Sequence, residues 1–357
     1  MKILVLHSRL SGYWMACMRA FVERCGGTFY VVRKQISGNA PFSFQNEKGI
    51  CLFDFSSFSN KELVDFSISL SPDLVYVAGW EEQVYLNISR YYYKKGVPVL
   101  CGLDNHWKGT PRQWAGKIYL KYLSPCYFTH LWIPGLYQFE YARNLGFNEK
   151  NILTGVYSAD VTAFSSARKR SCKTNYPKSF LYVGRFIKRK GIMELALAFQ
   201  QLKRSADTSW SLTLIGNGPL KKKLKKFDNI IIRDFVQPKE LPEIMSDYGI
   251  FVLPSWREPW GVVVHEAAAA GLPIITTYEC GAATAFVRNG YNGYLTRGGS
   301  VEHLCRSMKK IVNLSDEELF SMGERSYELS KQITPETWAS TLNEVIIDNK
   351  YNDSYRD

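Results

Sequence analysis

The sequence predicts an α/β protein built from two doubly wound parallel sheets. Three observations carry this prediction. Short apolar runs alternate with longer amphipathic stretches almost throughout, which is the pattern of βαβ units. The alternation comes as two series, with a break near GVYSADVTAF, residues 155–164. The length, 357 residues, suits two domains of ordinary size.

Taken in order, KILVLH (2–7) reads as a first buried strand, followed by a helical pattern over about 12–25. TFYVVR (28–33) and DLVYVAG (73–79) are the next strands, then a tyrosine-rich helix near 82–95 and the strand VPVLCGL (97–103). The second series runs SFLYVGR (179–185), a helix over 191–204, SLTLIGNG (211–218), a lysine-rich helix, NIIIRDF (229–235), a helix near 239–246, GIFVLPS (249–255) and a helix from about 261. PIITT (273–277) and GYLT (293–296) close the sheet, and helices near 301–312, 316–331 and 335–349 follow. The last, WASTLNEVIIDNK, can pack back on the first domain.

Composition narrows the class. At 46% hydrophobic and 14% aromatic the chain is a folded globular protein. No apolar run approaches the roughly 18–20 residues of a spanning helix, and MKILVLH is too short in its apolar part for a signal peptide. The eight cysteines are scattered without a CxxC pair, as expected of reduced thiols in a cytoplasmic protein. The formal charge of +12 is uneven: residues 168–226 carry 16 Lys/Arg against 2 Asp/Glu. Such a block favours phosphates, nucleic acid or anionic lipid, or is a solvated helix face. It lacks interleaved aromatics and an RNA-module motif, so no nucleic-acid partner is expected.

Ligands of doubly wound sheets bind at the carboxyl ends of the strands. Arg185 ends one strand and Lys190 precedes the next helix. Together they fit a diphosphate clamp, or an ordinary surface pair. Gly216 and Gly218 in IGNGP allow close backbone approach to a ligand, or form a plain strand-to-helix turn. No Walker or GxGxxG pattern is present. In REPWGVVVHEAAAAG, Arg257 to Gly271, Pro259 fixes a loop and a helix begins near Gly261. The N–H groups of Trp260 to Val263, Gly261 and Val262 among them, then form a helix N-terminus that attracts phosphate. Glu266, about one and a half turns inside, can accept two hydrogen bonds from a vicinal diol such as ribose. Glu258, on the loop, can accept from sugar hydroxyls. Their plainer readings are a capping carboxylate for Glu258 and a buried acid satisfied by backbone for Glu266.

At these residues the chain resembles the retaining glycosyltransferases of family 4, which have the GT-B fold. The hallmark E-x7-E falls on Glu258 and Glu266, and GRFIKRKG, LIGNGP, VLPSWREPWG, HEAAAAGLPIITT and RNGYNGYL follow in family order. TGVYSADVTAF resembles the interdomain segment. The resemblance is specific over about 155–300 and looser before it.

The resemblance implies two Rossmann-like domains facing a central cleft: an acceptor domain over 1–157, a donor domain over 158–334, and a helix over 335–357 crossing back. It implies that Arg185 and Lys190 hold the donor's diphosphate and Glu266 the ribose. Glu258, with backbone at Trp260 and Gly261, would hold the sugar, and backbone near Val236 the nucleobase. The nucleotide-sugar is a substrate; no cofactor and no metal are expected, and the chain contains no D-x-D. Where the family carries paired glycines in the first loop, SRLSGYW has only Gly12. Where many members have a histidine after the fourth strand, VPVLCGLDNHW places Asp104, with His106 two residues on. Asp104 is the first choice for the acceptor-side polar group and His106 the second, or an ordinary loop histidine. Glu279, Gly281 and Ala282 are candidate lining residues near the sugar.

The expected reaction moves a sugar from a UDP- or GDP-sugar to a glycan or lipid-linked glycan, in bacterial surface polysaccharide synthesis. A nucleotide-sugar epimerase is the alternative; an inactive nucleotide-binding module is a lesser one. In WKGTPRQWAGKIYLKYL (107–123), Trp114, Ile118 and Tyr122 share a stripe with Lys117 and Lys121 beside it. This is either a helix for an anionic membrane surface at the inner face of the plasma membrane, or a core helix with exposed lysines.

Overall fold

The computed structural model describes residues 1–34, 42–120, 126–171, 175–205 and 209–354. Lys121, Tyr122 and Cys172 lie outside them. The chain divides into two compact units. One holds the described residues up to Ser158 together with the chain from Pro335; the other holds Ala159–Thr334.

The first unit is built on a seven-stranded parallel sheet of order β3-β2-β1-β4-β5-β6-β7. Its strands are β1 (Lys2–His7), β2 (Thr28–Arg33), β3 (Ile50–Asp54), β4 (Leu74–Val77), β5 (Val99–Gly102), β6 (His130–Ile133) and β7 (Ile152–Thr154). Parallel strands need crossovers, supplied by α1 (Gly12–Cys25), α2 (Asn60–Leu70), α3 (Gln83–Lys94), α4 (Pro111–Ile118) and α5 (Leu136–Asn144). Ser59 and Glu62 start α2 as a capping box. The β1 apolar run alternates between the two faces: Ile3 and Val5 enter one core cluster, Leu4 and Leu6 the other.

The second unit has a six-stranded parallel sheet of order β10-β9-β8-β11-β12-β13. These are β8 (Ser179–Val183), β9 (Ser211–Ile215), β10 (Ile230–Arg233), β11 (Ile250–Leu253), β12 (Ile274–Thr277) and β13 (Gly293–Thr296). Around them lie α6 (Val161–Arg170), α7 (Ile192–Ser205), α8 (Lys221–Leu224), α9 (Leu241–Ser246), α10 (Val262–Ala269), α11 (Ala283–Phe286), α12 (Val301–Val312) and α13 (Asp316–Ser330). The final helix, α14 (Pro335–Ser354), belongs to the first unit. There Trp338 stacks on Trp132 at 4.8 Å and donates its indole N–H to the Val156 carbonyl at 3.2 Å.

The structure differs from the sequence reading in several elements. Strands β3, β6 and β7 and helices α2, α5, α6 and α11 were not foreseen. The lysine-rich helix is a single turn, α8, because lysines one turn apart repel. The helix over 107–123 begins only at Pro111, where Thr110 and Gln113 form a capping box.

Candidate active site

In both sheets the strand order reverses between two neighbours, β1 and β4 in the first unit, β8 and β11 in the second. The crevice outside such a switch point is where a doubly wound sheet receives its ligand.

In the second unit the β8 switch-point loop carries Arg185 and Lys190, and the β11 loop carries Glu258. Gly191 lets the two loops meet. It is left-handed, with φ +67, and a Cβ there would lie 2.0 Å from the Pro254 carbonyl oxygen. Only glycine fits both demands. The result is an ion pair between Lys190 Nζ and Glu258 Oε2, both side chains close to fully buried. Ser255 Oγ donates to the same carboxylate oxygen at 3.2 Å. A buried pair is retained when its remaining lone pairs are satisfied in this way.

The neighbouring loop after β9 supports Arg185. A Cβ on Gly216 would lie 2.0 Å from the Gly184 carbonyl oxygen, and one on Gly218 2.6 Å from that of Phe186. Phe186 N–H donates to Asn217 O at 2.8 Å, and Leu220 N–H to Phe186 O at 3.1 Å. Both glycines therefore seat the Arg185 loop. Tyr182 adds a hydrogen bond from its phenol to the Arg185 carbonyl at 2.9 Å. Burial, then the charge of Glu258, raises that phenol above its ordinary range.

The loop from Glu258 to Gly261 is zipped to the loop after β12. Glu258 N–H donates to Glu279 O at 3.2 Å, Gly281 N–H to Glu258 O at 3.0 Å and Ala282 N–H to Trp260 O at 2.9 Å. A Cβ on Gly281 would lie 2.1 Å from the Pro259 carbonyl oxygen. Gly261 is the left-handed N-cap of α10, φ +94, and a Cβ there would press on Glu258 Cγ at 2.9 Å. Val262 opens the helix, whose first N–H groups have no intrahelical acceptors.

Glu266 stands five positions into the α10 axis from its cap. It is partly exposed. The protein around its carboxyl, and secondarily Asp160, push its pKa up to about 7. Asp160 is the N-cap of α6 and accepts from Ala163 N–H at 3.0 Å. Next to Glu266, His265 is fully buried. It accepts from Ala159 N–H through Nδ1 at 3.0 Å, so Nε2 carries the proton donated to Ser330 O at 2.9 Å. Its ring stacks on Phe286 at 4.0 Å. Burial lowers its pKa to about 4. Sequence reasoning missed this residue; nothing in HEAAAAG marks it as the group that fixes the helix carrying Glu266. Val236 lies three residues beyond β10, on the loop at the sheet edge.

In the first unit Gly12 opens α1 directly after β1, and Asp104 follows β5. Three tyrosines, also missed from sequence, accompany Asp104. Tyr13 and Tyr157 meet edge to face at 5.4 Å. Burial first, then the Asp104 carboxylate, raises the Tyr157 phenol well above its usual range. Tyr76 responds to burial and to the same group of neighbours. A Cβ on Gly102 would strike Tyr76 Oη at 2.1 Å. Gln138, fully buried, donates to the Asp104 carbonyl at 2.9 Å. The His106 ring meets that of Tyr137 edge to face at 5.1 Å. The structure thus gathers Arg185, Lys190, Glu258, Trp260, Gly261, Val262 and Glu266 around one switch point, with Gly216 and Gly218 as support. Gly12 stands at the other, and Asp104 on the loop after the adjoining strand β5.

Residues 164–329 match the family model described as glycosyl transferases group 1. An uncharacterized glycosyltransferase of Methanocaldococcus jannaschii is 30% identical over 160 residues, 43% of each protein. The capsular polysaccharide biosynthesis glycosyltransferase CapM of Staphylococcus aureus is 32% identical over 144 residues, 39% of this chain and 37% of that protein. The chain therefore spans about two fifths of the length of these curated relatives. Among solved structures, a glycosyltransferase from Rickettsia africae superposes with a TM-score of 0.75 at 14% identity, covering 98% of this chain and 99% of that one. Anabaena Alr3699/HepE, in complex with UDP and glucose, gives 0.70 at 16% identity, covering 98% and 100%. The shared fold is GT-B.

Proposed function

We propose that this chain, whose residues 164–329 match the group 1 glycosyl transferase model within a GT-B fold, is a retaining, metal-independent glycosyltransferase. It moves a sugar from a UDP- or GDP-sugar to a hydroxyl of a glycan or lipid-linked glycan. The observation that carries this is the meeting of Lys190 and Glu258 at the switch point, with Glu266 on the adjoining helix. A cation for phosphate, a carboxylate for sugar hydroxyls and a second carboxylate for a diol are the three demands of a nucleotide-sugar.

The anomeric carbon develops oxocarbenium character as the nucleoside diphosphate departs. Arg185, Lys190 and the α10 N-terminus stabilise the departing negative charge. The acceptor hydroxyl attacks on the face the diphosphate leaves, and a leaving phosphate oxygen takes its proton. Glu258 orients the sugar, which is a proximity contribution. Asp104, in its tyrosine cluster, is the first choice for the acceptor-side polar group and His106 the second. Val236 backbone meets the base. CapM's printed role in capsular polysaccharide biosynthesis supports surface polysaccharide synthesis as the setting, at the inner face of the plasma membrane. No described helix is long and apolar enough to cross a membrane, so any membrane contact made by these helices is peripheral.

Glu258→Gln tests the assignment. It keeps the carboxylate's shape beside Lys190 and removes its charge. Sugar transfer should fall by about a hundredfold or more while nucleotide affinity changes little. Transfer within about threefold of the unaltered enzyme would show that Glu258 does not hold the reacting sugar.

A further inference from the structure

We propose that the outward face of α4, with the first turn of α5, is the surface by which the protein lies on an anionic lipid bilayer. The proposal deepens the membrane setting given above; the vesicle binding that tests it does not depend on the transfer reaction.

The observation is that α4 is inside out. At about 100° per residue, Pro111, Trp114, Ala115 and Ile118 fall on one side of the helix, and that side faces solvent. Trp114 is 49% exposed and Ile118 50%. Gln113, Gly116 and Lys117 lie on the protein side and are less exposed. No residue of α4 is buried. A surface helix ordinarily does the reverse, turning its apolar stripe to the core. The arrangement is held in place. Trp107 packs between Trp114 at 5.5 Å and Tyr141 at 5.3 Å, and Lys117 reaches Asn144 at 3.3 Å. Gln113 ties the helix back to the His106 carbonyl at 2.7 Å. Beside it, α5 opens with Leu136, 70% exposed, and with exposed Tyr137.

Charge chooses the occupant. Between Asp104 and Glu140 the sequence contains no carboxylate, while Lys108 and Arg112 are exposed at the start of α4 and Lys117 flanks Trp114. Lys117 lies 4.7 Å from the Trp114 ring centre. Tryptophan and tyrosine beside lysine and arginine suit the headgroup boundary of an anionic leaflet. A second copy docked by two-fold symmetry would bring two cationic rims together, which costs association. A glycan would find Ile118 and Leu136, which offer its hydroxyls no hydrogen bonds.

The test is flotation of the full chain with phosphatidylcholine vesicles, with and without phosphatidylglycerol, at low and high salt. The protein should float with the anionic vesicles at low salt only. Trp114→Ser with Ile118→Ser should weaken that partition roughly tenfold or more. Arg112→Gln should weaken it about threefold to fivefold. Because the altered side chains lie in the first unit, UDP titration should not move, and Arg112→Gln, which leaves the Trp107–Trp114 contact in place, should keep its melting temperature. Failure of the unaltered protein to float, or equal flotation of the double variant, overturns the proposal. So does a concentration-dependent dimer lost in the double variant without any vesicle binding. Flotation without nucleotide binding would leave this surface standing and remove the transferase reading instead.

Discussion

In the proposed donor site, Glu266 would link nucleotide recognition to pH. Its carboxyl is pushed up to about 7, first by burial and then by Asp160. A raised carboxylate pKa means the folded protein holds a proton the unfolded chain has released. Its contribution to stability is complete below the unfolded value and is lost as pH rises through about 7. Ligand binding runs the other way, because the ionised form accepts hydrogen bonds from a diol. Nucleotide affinity should therefore rise between about pH 6 and about pH 8 and level off above. Glu266→Gln should bind more weakly at the upper end and show no such rise. Calorimetric titration across that range checks this; an unchanged slope in the variant would remove Glu266 from the ribose. In the sequence Glu258 and Glu266 stand out by their spacing across a loop and a helix start. The partner of Glu258 does not, since Lys190 is 68 positions away and is delivered by the left-handed Gly191.

At the scale of elements, α10 must be rigid for its N-terminus and Glu266 to act together. His265 supplies that rigidity by bonding the start of α6 at Ala159 and the end of α13 at Ser330. His265→Ala would leave a buried N–H and a buried carbonyl unpaired and open a cavity beside Phe286. The expected loss is about 2–4 kcal/mol, read from chemical denaturation. A loss below about 0.5 kcal/mol, the size of a neutral surface change, would show that the clamp is unimportant. Its lowered pKa means this contribution is present above the usual histidine value and fades as pH falls from about 6.5 towards 4.

Elements of the second unit were legible because each strand is an apolar run ending in loop chemistry, as in SFLYVGR and GIFVLPS. In the first unit β7 has three residues, too short for periodicity to register, and β3 is an edge strand buried only at Ile50. Tyr13, Tyr76 and Tyr157 come from three separated segments, so only the sheet order assembles them around Asp104.

At the scale of the molecule, each unit has its own doubly wound sheet and its own switch point. The chain completes the first unit last. Trp338, Leu342 and Ile346 of α14 enter the core laid down by α1 and β1, and Trp338 meets Trp14 at 5.4 Å. The amphipathic pattern of WASTLNEVIIDNK announces a buried face, but only the fold shows which sheet receives it. The charge asymmetry was legible as an anion preference. It was not legible as geometry, because several of those basic residues serve as structural partners, Lys178 with Asp316 and Lys221 with Asp234 among them.

A metal-independent nucleotide-sugar site at the proposed β8–β11 switch point is best probed by calorimetric titration with UDP, GDP and ADP in the presence of EDTA, alongside Glu266→Ala. Micromolar binding of UDP or GDP, lost in the variant, is the predicted result. A folded protein that binds none of the three nucleotides, or binds one equally well without Glu266, would contradict the account.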